Sequence, residues 1–199
     1  MAQIGMRHVV AAPIATEVAG SPVTYGAGFA VGRAVSANYT RNYSTDNNLH
    51  GEDDIAETDD QLIDYNLDIG TTELVEEAES KLLGFTHDST NGTYVETGAP
   101  APYHGVGFIR VRKRHGIISY LAIWFYKIRF RKDSEEDNTK GKQISWGTPT
   151  INGHGMGVYP DASGTPSFRE IKPCETLAAA AAWLDGKANV TGTTPGSTT

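Results

Sequence analysis

Four residues in the first third of the chain have side chains that could bind a metal ion: His50, Glu52, Asp53 and Asp54. Carboxylate oxygens are the ligands that hard cations prefer, and a His beside them would suit a metal-dependent hydrolase. However, adjacent residues of a strand point to opposite faces, and the ligand spacing of a calcium-binding loop is missing. We therefore favour an acidic hairpin that faces solvent or a partner, with a metal-dependent hydrolase as the distant alternative.

Other catalytic patterns are sparse. His154 lies between Gly153 and Gly155 and could serve as a general base on an exposed loop, but no nucleophile or orienting carboxylate accompanies it in a known pattern, so a plain loop His is the favoured interpretation. The sequence has no glycine-rich phosphate loop, no Gly-x-Ser-x-Gly elbow and no pair of His at zinc-helix spacing. The lone Cys174 rules out an internal disulfide framework. We expect no cofactor, no metal and no enzymatic activity.

Charge is unevenly distributed along the chain. Residues 41–81 hold 13 carboxylates with no Lys or Arg between the two end residues, whereas residues 110–132 hold 8 of the 17 basic residues. Opposite charges on separate strand-like segments favour binding between copies in a fixed orientation. The predicted contact residues are Glu52, Asp53, Asp54, Asp59 and Asp60 on one copy and Arg110, Arg112, Arg129 and Arg131 on another. The alternative is that both segments are ordinary solvated faces of a monomer.

Nucleic acid is not the favoured ligand. The net charge of −7 opposes binding to a phosphate backbone. The basic stretch could contact phosphates, but aromatic residues that would stack on bases are absent from the same face. A protein partner is the favoured interpretation.

Length and composition indicate one domain. With 199 residues and 39% hydrophobic content, the chain can form one core. We predict a domain over residues 1–187, with a long hairpin or loop around residues 40–66, and a disordered Gly, Thr, Ser and Pro tail over residues 188–199. No apolar run reaches membrane-spanning length and no leader pattern is present, so we expect synthesis in the cytoplasm and no membrane contact.

Strand patterns dominate the sequence. Alternation predicts strands over residues 4–14, 29–45 and 61–69. The strongest pair covers residues 106–114 and 117–131 and is joined by a His-Gly turn at 115–116. Period-two spacing predicts that the Arg side chains of both strands form one strongly positive sheet face. Further strands are predicted over residues 143–153 and 168–171.

Two helices complete the prediction. The first begins after Thr71 or Thr72 and ends at Gly84, and the second begins at residues 173–175 and ends at Gly186. The expected fold class is mainly β with α: a β-sandwich or small barrel of antiparallel strands with a flanking helix and a C-terminal helix.

Several segments resemble, in order, the major tail protein of long-tailed bacteriophages. They are IGMRHVVA at 4–11, KLLGF at 81–85, WFYK at 124–127, SEE at 134–136, TKG at 139–141, TPTING at 148–153 and WL at 183–184. The likeness weakens over residues 88–101 and in the tail. The resemblance implies a tail-tube-like fold whose copies form hexameric rings that stack into a hollow tube for genome ejection. It further implies a virion tail location, assembly in the host cytoplasm, other tail proteins as partners, and transient passage of viral DNA.

The resemblance also suggests which strands line the tube. Strands over residues 31–45 and 61–69 become candidates for the inner sheet, with residues 46–60 ordered against a neighbour; the basic hairpin is the other candidate. A basic lining would retain phosphates. We therefore predict that most of Arg110, Arg112, Arg129 and Arg131 are engaged by carboxylates. A monomeric β-sandwich binding or adhesion module is the alternative function.

Overall fold

The structure is a computed structural model and describes residues 2–44, 48–51, 54–58, 60–135 and 148–190, with the backbone alone at 34, 48–51 and 54–58. The strands are β1 (Ala2–Thr16), β2 (Thr24–Tyr25), β3 (Phe29–Gly32), β4 (Ala34–Tyr43), β5 (Asn48–Gly51), β6 (Asp54–Thr58), β7 (Leu62–Thr71), β8 (Thr86–Asp88), β9 (Thr93–Val95), β10 (Tyr103–Arg114), β11 (Ile117–Arg131), β12 (Thr150–Met156) and β13 (Arg169–Cys174). The helices are α1 (Glu76–Leu83) and α2 (Leu177–Ala188). The predicted class, mainly antiparallel β with two helices, is confirmed.

The main sheet closes on itself. Its strands follow the order β2-β1-β10-β11-β12-β7-β4, with antiparallel neighbours throughout. β3 pairs with β1, while β4 pairs with β7, and only Arg33 separates β3 from β4. The segment 29–43 therefore joins the two ends of the sheet, which gives a small barrel.

Two apolar layers stabilise this arrangement. The barrel interior is filled from opposite walls by side chains such as Phe108, Phe125 and Leu67, and Leu82 of α1 enters the same cluster. On the outside of β10 and β11, Trp124 and Leu184 belong to a second cluster that buries α2. Each buried side chain of this size contributes about 1.5–3 kcal/mol through its removal from water.

Most predicted strands are confirmed. Residues 4–14 lie in β1, and residues 62–69 lie in β7, with residue 61 just before it. The predicted hairpin matches β10 and β11. The His115-Gly116 turn has positive φ at both positions (49° and 83°), as a two-residue turn between twisted strands requires. The strand predicted over residues 29–45 is divided into β3 and β4, because the chain changes its pairing partner at Arg33, and residue 45 lies outside the described residues. Of residues 143–153, β12 covers Thr150 onwards, and 136–147 lie outside the described residues.

Both helix starts differ from the prediction. Thr71 still belongs to β7, and the Thr72 amide donates to the Arg33 carbonyl (2.9 Å), so neither residue caps α1. α1 instead begins at Glu76 with no side-chain cap, and Gly84 ends it in the left-handed conformation as predicted. α2 begins after Thr176, whose hydroxyl accepts from the Ala179 amide (3.2 Å), because Pro173 and Cys174 of the predicted start belong to β13.

The C-terminal helix extends beyond its predicted end. α2 continues through Gly186 to Ala188, which is buried, and Asn189 closes the helix with φ of 51°. The Asn189 side chain donates to the Tyr25 carbonyl (2.6 Å), and Val190 packs on the outer apolar layer. Residues 188–190 therefore belong to the folded domain and not to the predicted tail, while 191–199 lie outside the described residues.

Candidate functional site

The predicted acidic residues fall mostly where the structure gives little detail. Glu52, Asp53 and Asp59 lie outside the described residues. Asp54 is the first residue of β6, which pairs with β5 in a hairpin, and Asp60 is exposed just before β7. The acidic hairpin is thus inserted in sequence between β4 and β7, whose ends are held together by the Ser44 amide and the Gln61 carbonyl (2.7 Å).

The predicted single basic face is wrong. The pairing of β10 with β11 is regular from Arg114 to Val106 and then shifts by one residue before His104. A bulge of this kind reverses which face the following side chains occupy. Ile128 and Phe130 consequently enter the barrel interior with Phe108, the residue two before Arg110. Arg110 and Arg112 therefore lie on the interior face, whereas Arg129 and Arg131 lie on the outside.

Several cations of the basic segment find carboxylates in the same chain. Lys127 binds Glu17 and Lys132 binds Glu79, each at 2.7 Å. Arg131 binds Asp133 at 2.9 Å, but both side chains are more than half exposed, so this ion pair contributes at most about 1 kcal/mol. These contacts neutralise part of the charge separation seen in the sequence. Whether carboxylates of another copy engage the predicted Arg residues stays a prediction.

Arg129 is covered by an aromatic ring. Its guanidinium carbon lies 4.0 Å from the centroid of the Tyr103 ring, its direct partner across the strand pair. Lys127 lies 4.5 Å from the same centroid. Cation–π contacts of this kind stabilise the charge without a carboxylate. The Tyr103 ring thus contacts both cations within the chain, while Arg129 Nε is buried and has no partner in the described residues.

A second group of residues, which we call the arginine–tyrosine cluster, comprises Arg41, Arg110, Arg169, Tyr39 and Tyr65. Arg110 donates to the Tyr39 hydroxyl (2.9 Å) and Arg41 donates to the Tyr65 hydroxyl (3.2 Å). Arg169 lies 5.1 Å from the Tyr39 ring centroid and 5.6 Å from that of Tyr65. Five side chains from β4, β7, β10 and β13 thus meet at one point.

The cluster shifts the acidity of its own members. Burial alone would raise the pKa of Tyr39, but hydrogen bonds from Arg110 and Arg169 outweigh it and lower that pKa below its ordinary value. The Tyr65 hydroxyl, which accepts from Arg41, raises the pKa of that guanidinium further. The lowered pKa of Tyr39 reports the positive charge of the two neighbouring guanidinium groups, whereas the raised pKa of Arg41 reports the hydrogen bond that its charged form gives to Tyr65.

The outer surface of β4, β7 and β12 has a different chemistry, and we call it the polar face. Ala37 and Tyr39 of β4 pack on the barrel core, as do Leu67 of β7 and Ile151 of β12, so the residues between them point outward. The outward residues are Ser36, Asn38, Thr40, Asn42, Asp64, Asn66, Asp68, Thr150, Asn152 and His154. These ten positions include two carboxylates, no Lys or Arg and no large apolar side chain.

Cross-strand hydrogen bonds hold the polar face. Asn152 donates to Asp68 (2.8 Å), and Asn42 donates to Asp64 on the neighbouring strand. His154 lies opposite Asn66 and 3.9 Å from the Asp64 carboxylate, so it belongs to this surface and not to the loop that the sequence suggested. Arg129 and Arg131 border the face on the β11 side, the first under Tyr103 and the second paired with Asp133.

β4, the outermost strand of the polar face, is an edge strand. Among the described residues it pairs with β7 alone over Ala34–Tyr43. Val35 and Tyr43 on this strand are 51% and 49% exposed. Although β3 closes the barrel onto β1, no ladder joins β4 to a strand on its other side within the described residues, so β4 with its exposed apolar side chains is a site for strand addition.

Other chemistries find little support in the part of the chain that the structure describes. Within it, no three His, Cys, Asp or Glu residues are placed to hold a metal ion, although the side chains of residues 48–58 are outside that search. Cys174 is buried. Neither α1 nor α2 is long and apolar enough to cross a membrane.

No protein-family model and no curated protein sequence matches the chain. Function is therefore inferred from the surfaces themselves.

Sequence reasoning identified Arg110 but missed Arg41 and Arg169, which lie far from it in the chain. The alternation of Asn, Asp and Thr with apolar residues in the segments 36–42 and 64–68 is the signal from which the polar face could have been found.

Proposed function

We propose that this protein is a tail tube protein, whose copies form hexameric rings that stack into the hollow tube through which phage DNA is ejected. The observation that carries the proposal is the polar face, whose outermost strand, β4, is an edge strand. Its location is then the virion tail, reached after assembly in the host cytoplasm, and its other partners are further tail proteins.

The polar face has the chemistry that a DNA conduit requires. Duplex DNA carries a dense array of phosphates, and each Lys or Arg that neutralises one would hold the DNA in place. The ten outward positions of β4, β7 and β12 offer short polar side chains and two carboxylates, Asp64 and Asp68. Cross-strand bonds hold both carboxylates on the face and occupy the amide groups of Asn42 and Asn152. In the proposed tube this face lines the lumen.

Pairing through the edge strand β4 would join copies into a closed ring. If β4 of one copy pairs with a strand of the next copy, the three-stranded face continues from copy to copy. Such a head-to-tail contact repeats until the rotation closes, and it gives a ring. Backbone hydrogen bonds and the burial of Val35 and Tyr43 would hold the contact, while charges would set its direction.

Negative-stain electron microscopy and sedimentation velocity of the purified chain test the proposal. We expect rings or tubes with sixfold end views at high protein concentration. The double variant Val35→Lys and Tyr43→Lys should prevent assembly while remaining folded, because charged Lys side chains on an edge strand oppose its pairing with a strand of another chain. The matched control is Val18→Lys, which makes the same change at an exposed residue outside the strands.

Two outcomes would contradict the proposal. A strictly monomeric mass at the highest attainable concentration would favour a binding or adhesion module instead. Assembly that survives the β4 double variant but is lost in the Val18 control would show that copies meet elsewhere on the barrel.

A further inference from the structure

The arginine–tyrosine cluster concentrates positive charge without a matching anion. Three guanidinium groups lie within 6.0 Å of the ring centroids of Tyr39 or Tyr65. Among the described residues, no ion pair involves Arg41, Arg110 or Arg169. Charges of the same sign this close repel one another, and the two hydroxyl groups carry no countercharge.

The cluster also lacks hydrogen-bond acceptors. Arg110 Nε and Arg169 Nη1 are buried and have no partner in the described residues. Each guanidinium carries five N–H donors, while the hydroxyl groups of Tyr39 and Tyr65 are the acceptors that the cluster itself offers to them. Buried polar groups are almost always paired in folded proteins. The unmet donors and the charge together indicate a site that is completed by an anion.

The position of the cluster limits what can supply that anion. Tyr39 and Arg41 belong to β4, the edge strand to which we assign the contact between copies. Arg41 is exposed, and Arg110 and Arg169 are half-buried behind it. A neighbouring copy that lies along β4 therefore places its own side chains at the entrance of the cluster.

The chain itself carries a matching segment. Residues 52–60 contain six carboxylates, no Lys and no Arg: Glu52, Asp53, Asp54, Glu57, Asp59 and Asp60. Guanidinium groups bind carboxylates through two parallel hydrogen bonds, which are about twice as strong as neutral ones. We infer that the arginine–tyrosine cluster of one copy receives carboxylates from residues 52–60 of a second copy.

This inference rests on the proposed function, because it assumes contact between copies, and it adds Arg41 and Arg169 to the contact. It also assigns Arg110 a role distinct from that of Arg129 and Arg131. Those two lie on the outer face, where Arg129 contacts the Tyr103 ring and Arg131 pairs with Asp133. The contact is therefore a defined pocket and not a general attraction between basic and acidic surfaces.

A mixing experiment with two variants tests the inference. The receiver variant carries Arg110→Gln and Arg169→Gln, and the donor variant carries Asn or Gln in place of the six carboxylates of residues 52–60. Each variant alone should need at least about tenfold more protein to assemble than the unmodified chain. An equimolar mixture should form a one-to-one dimer by sedimentation velocity, because one intact cluster then meets one intact acidic segment.

Controls separate the possible outcomes. Lys113→Gln with Arg114→Gln removes two exposed charges from the same hairpin and should assemble like the unmodified chain. Thermal melting checks that each variant folds, and Arg41→Gln, at an exposed position, replaces the receiver variant if that one does not. A mixture that stays monomeric would overturn the inference, as would normal assembly of a folded receiver variant. Absence of tubes from the unmodified chain, with dimers still formed in the mixture, would instead contradict the proposed function alone.

Discussion

His104 makes the stability of the fold depend on pH in a way that can be calculated. The side chain is 1% exposed and packs edge-on against the ring of Phe29 (centroids 6.1 Å apart). Its Nδ1 donates to the Pro102 carbonyl (3.2 Å). Burial lowers the pKa of His104 to about 4, although the hydrogen bond to Pro102 acts in the opposite direction.

The direction of the change in stability with pH depends on which state binds the proton more tightly. The unfolded chain protonates His104 near its ordinary pKa of 6.5, whereas the folded chain does so only near 4. Stability from this residue is therefore complete above the unfolded pKa and is lost as the pH falls from about 6.5 towards 4. The full loss is about 3.4 kcal/mol, because the pKa values of the two states differ by about 2.5 and each pKa unit corresponds to about 1.36 kcal/mol. Between pH 7 and pH 5 the free energy of unfolding should fall by about 2 kcal/mol.

Urea unfolding followed by tryptophan fluorescence provides the assay, since Trp124 is fully buried in the fold. Curves at pH 7, 6 and 5 are compared for the unmodified chain and for His104→Phe, at concentrations where both are monomeric. The variant should lose about 2 kcal/mol less over this range. His87→Phe, which alters an exposed His and leaves His104 in place, should keep the original slope. Equal losses in all three proteins would refute the reasoning.

Three further predictions concern the lumen, the packing of the barrel and a helix end. Tubes of Asn38→Lys with Asn66→Lys should retain short duplex DNA in co-sedimentation with a steep salt dependence, and equal retention by unmodified tubes would contradict a neutral lining. Gly153→Ala should lower the free energy of unfolding in urea by about 1–3 kcal/mol, because its new methyl group would lie 2.7 Å from Ile128 and 3.0 Å from the Leu67 carbonyl. Gly98→Ala, with open space around it, should change stability little, and similar losses in both variants would contradict the packing argument. Thr176→Ala should cost about 1 kcal/mol in the same assay through loss of the α2 cap, and an unchanged midpoint would show that the cap contributes nothing.

The strands were predictable because their signals are local. Alternation and the His115-Gly116 turn define β10 and β11 without reference to the rest of the chain. The first helix start was missed because the backbone of Thr72 bonds to Arg33, a contact between distant residues. The alanine-rich helix passes through Gly186 because packing of Ala188 outweighs the local cost of a glycine.

The site was less predictable than the fold. One bulge between β10 and β11 placed Arg110 and Arg129 on opposite faces, and simple alternation gives no sign of it. The arginine–tyrosine cluster joins residues up to 130 positions apart, from Tyr39 to Arg169, so only the closed sheet brings them together. The uneven charge along the chain was visible in the sequence, but the contacts made by each side chain depend on tertiary structure.

The most direct test of the central claim is an electron micrograph of the purified, unmodified chain, taken over a range of protein concentrations. If β4 joins copies into a ring lined by the polar face, the images should show sixfold rings that stack into hollow tubes. Isolated particles of the size of one chain at every concentration would contradict the claim that this protein builds a tail tube.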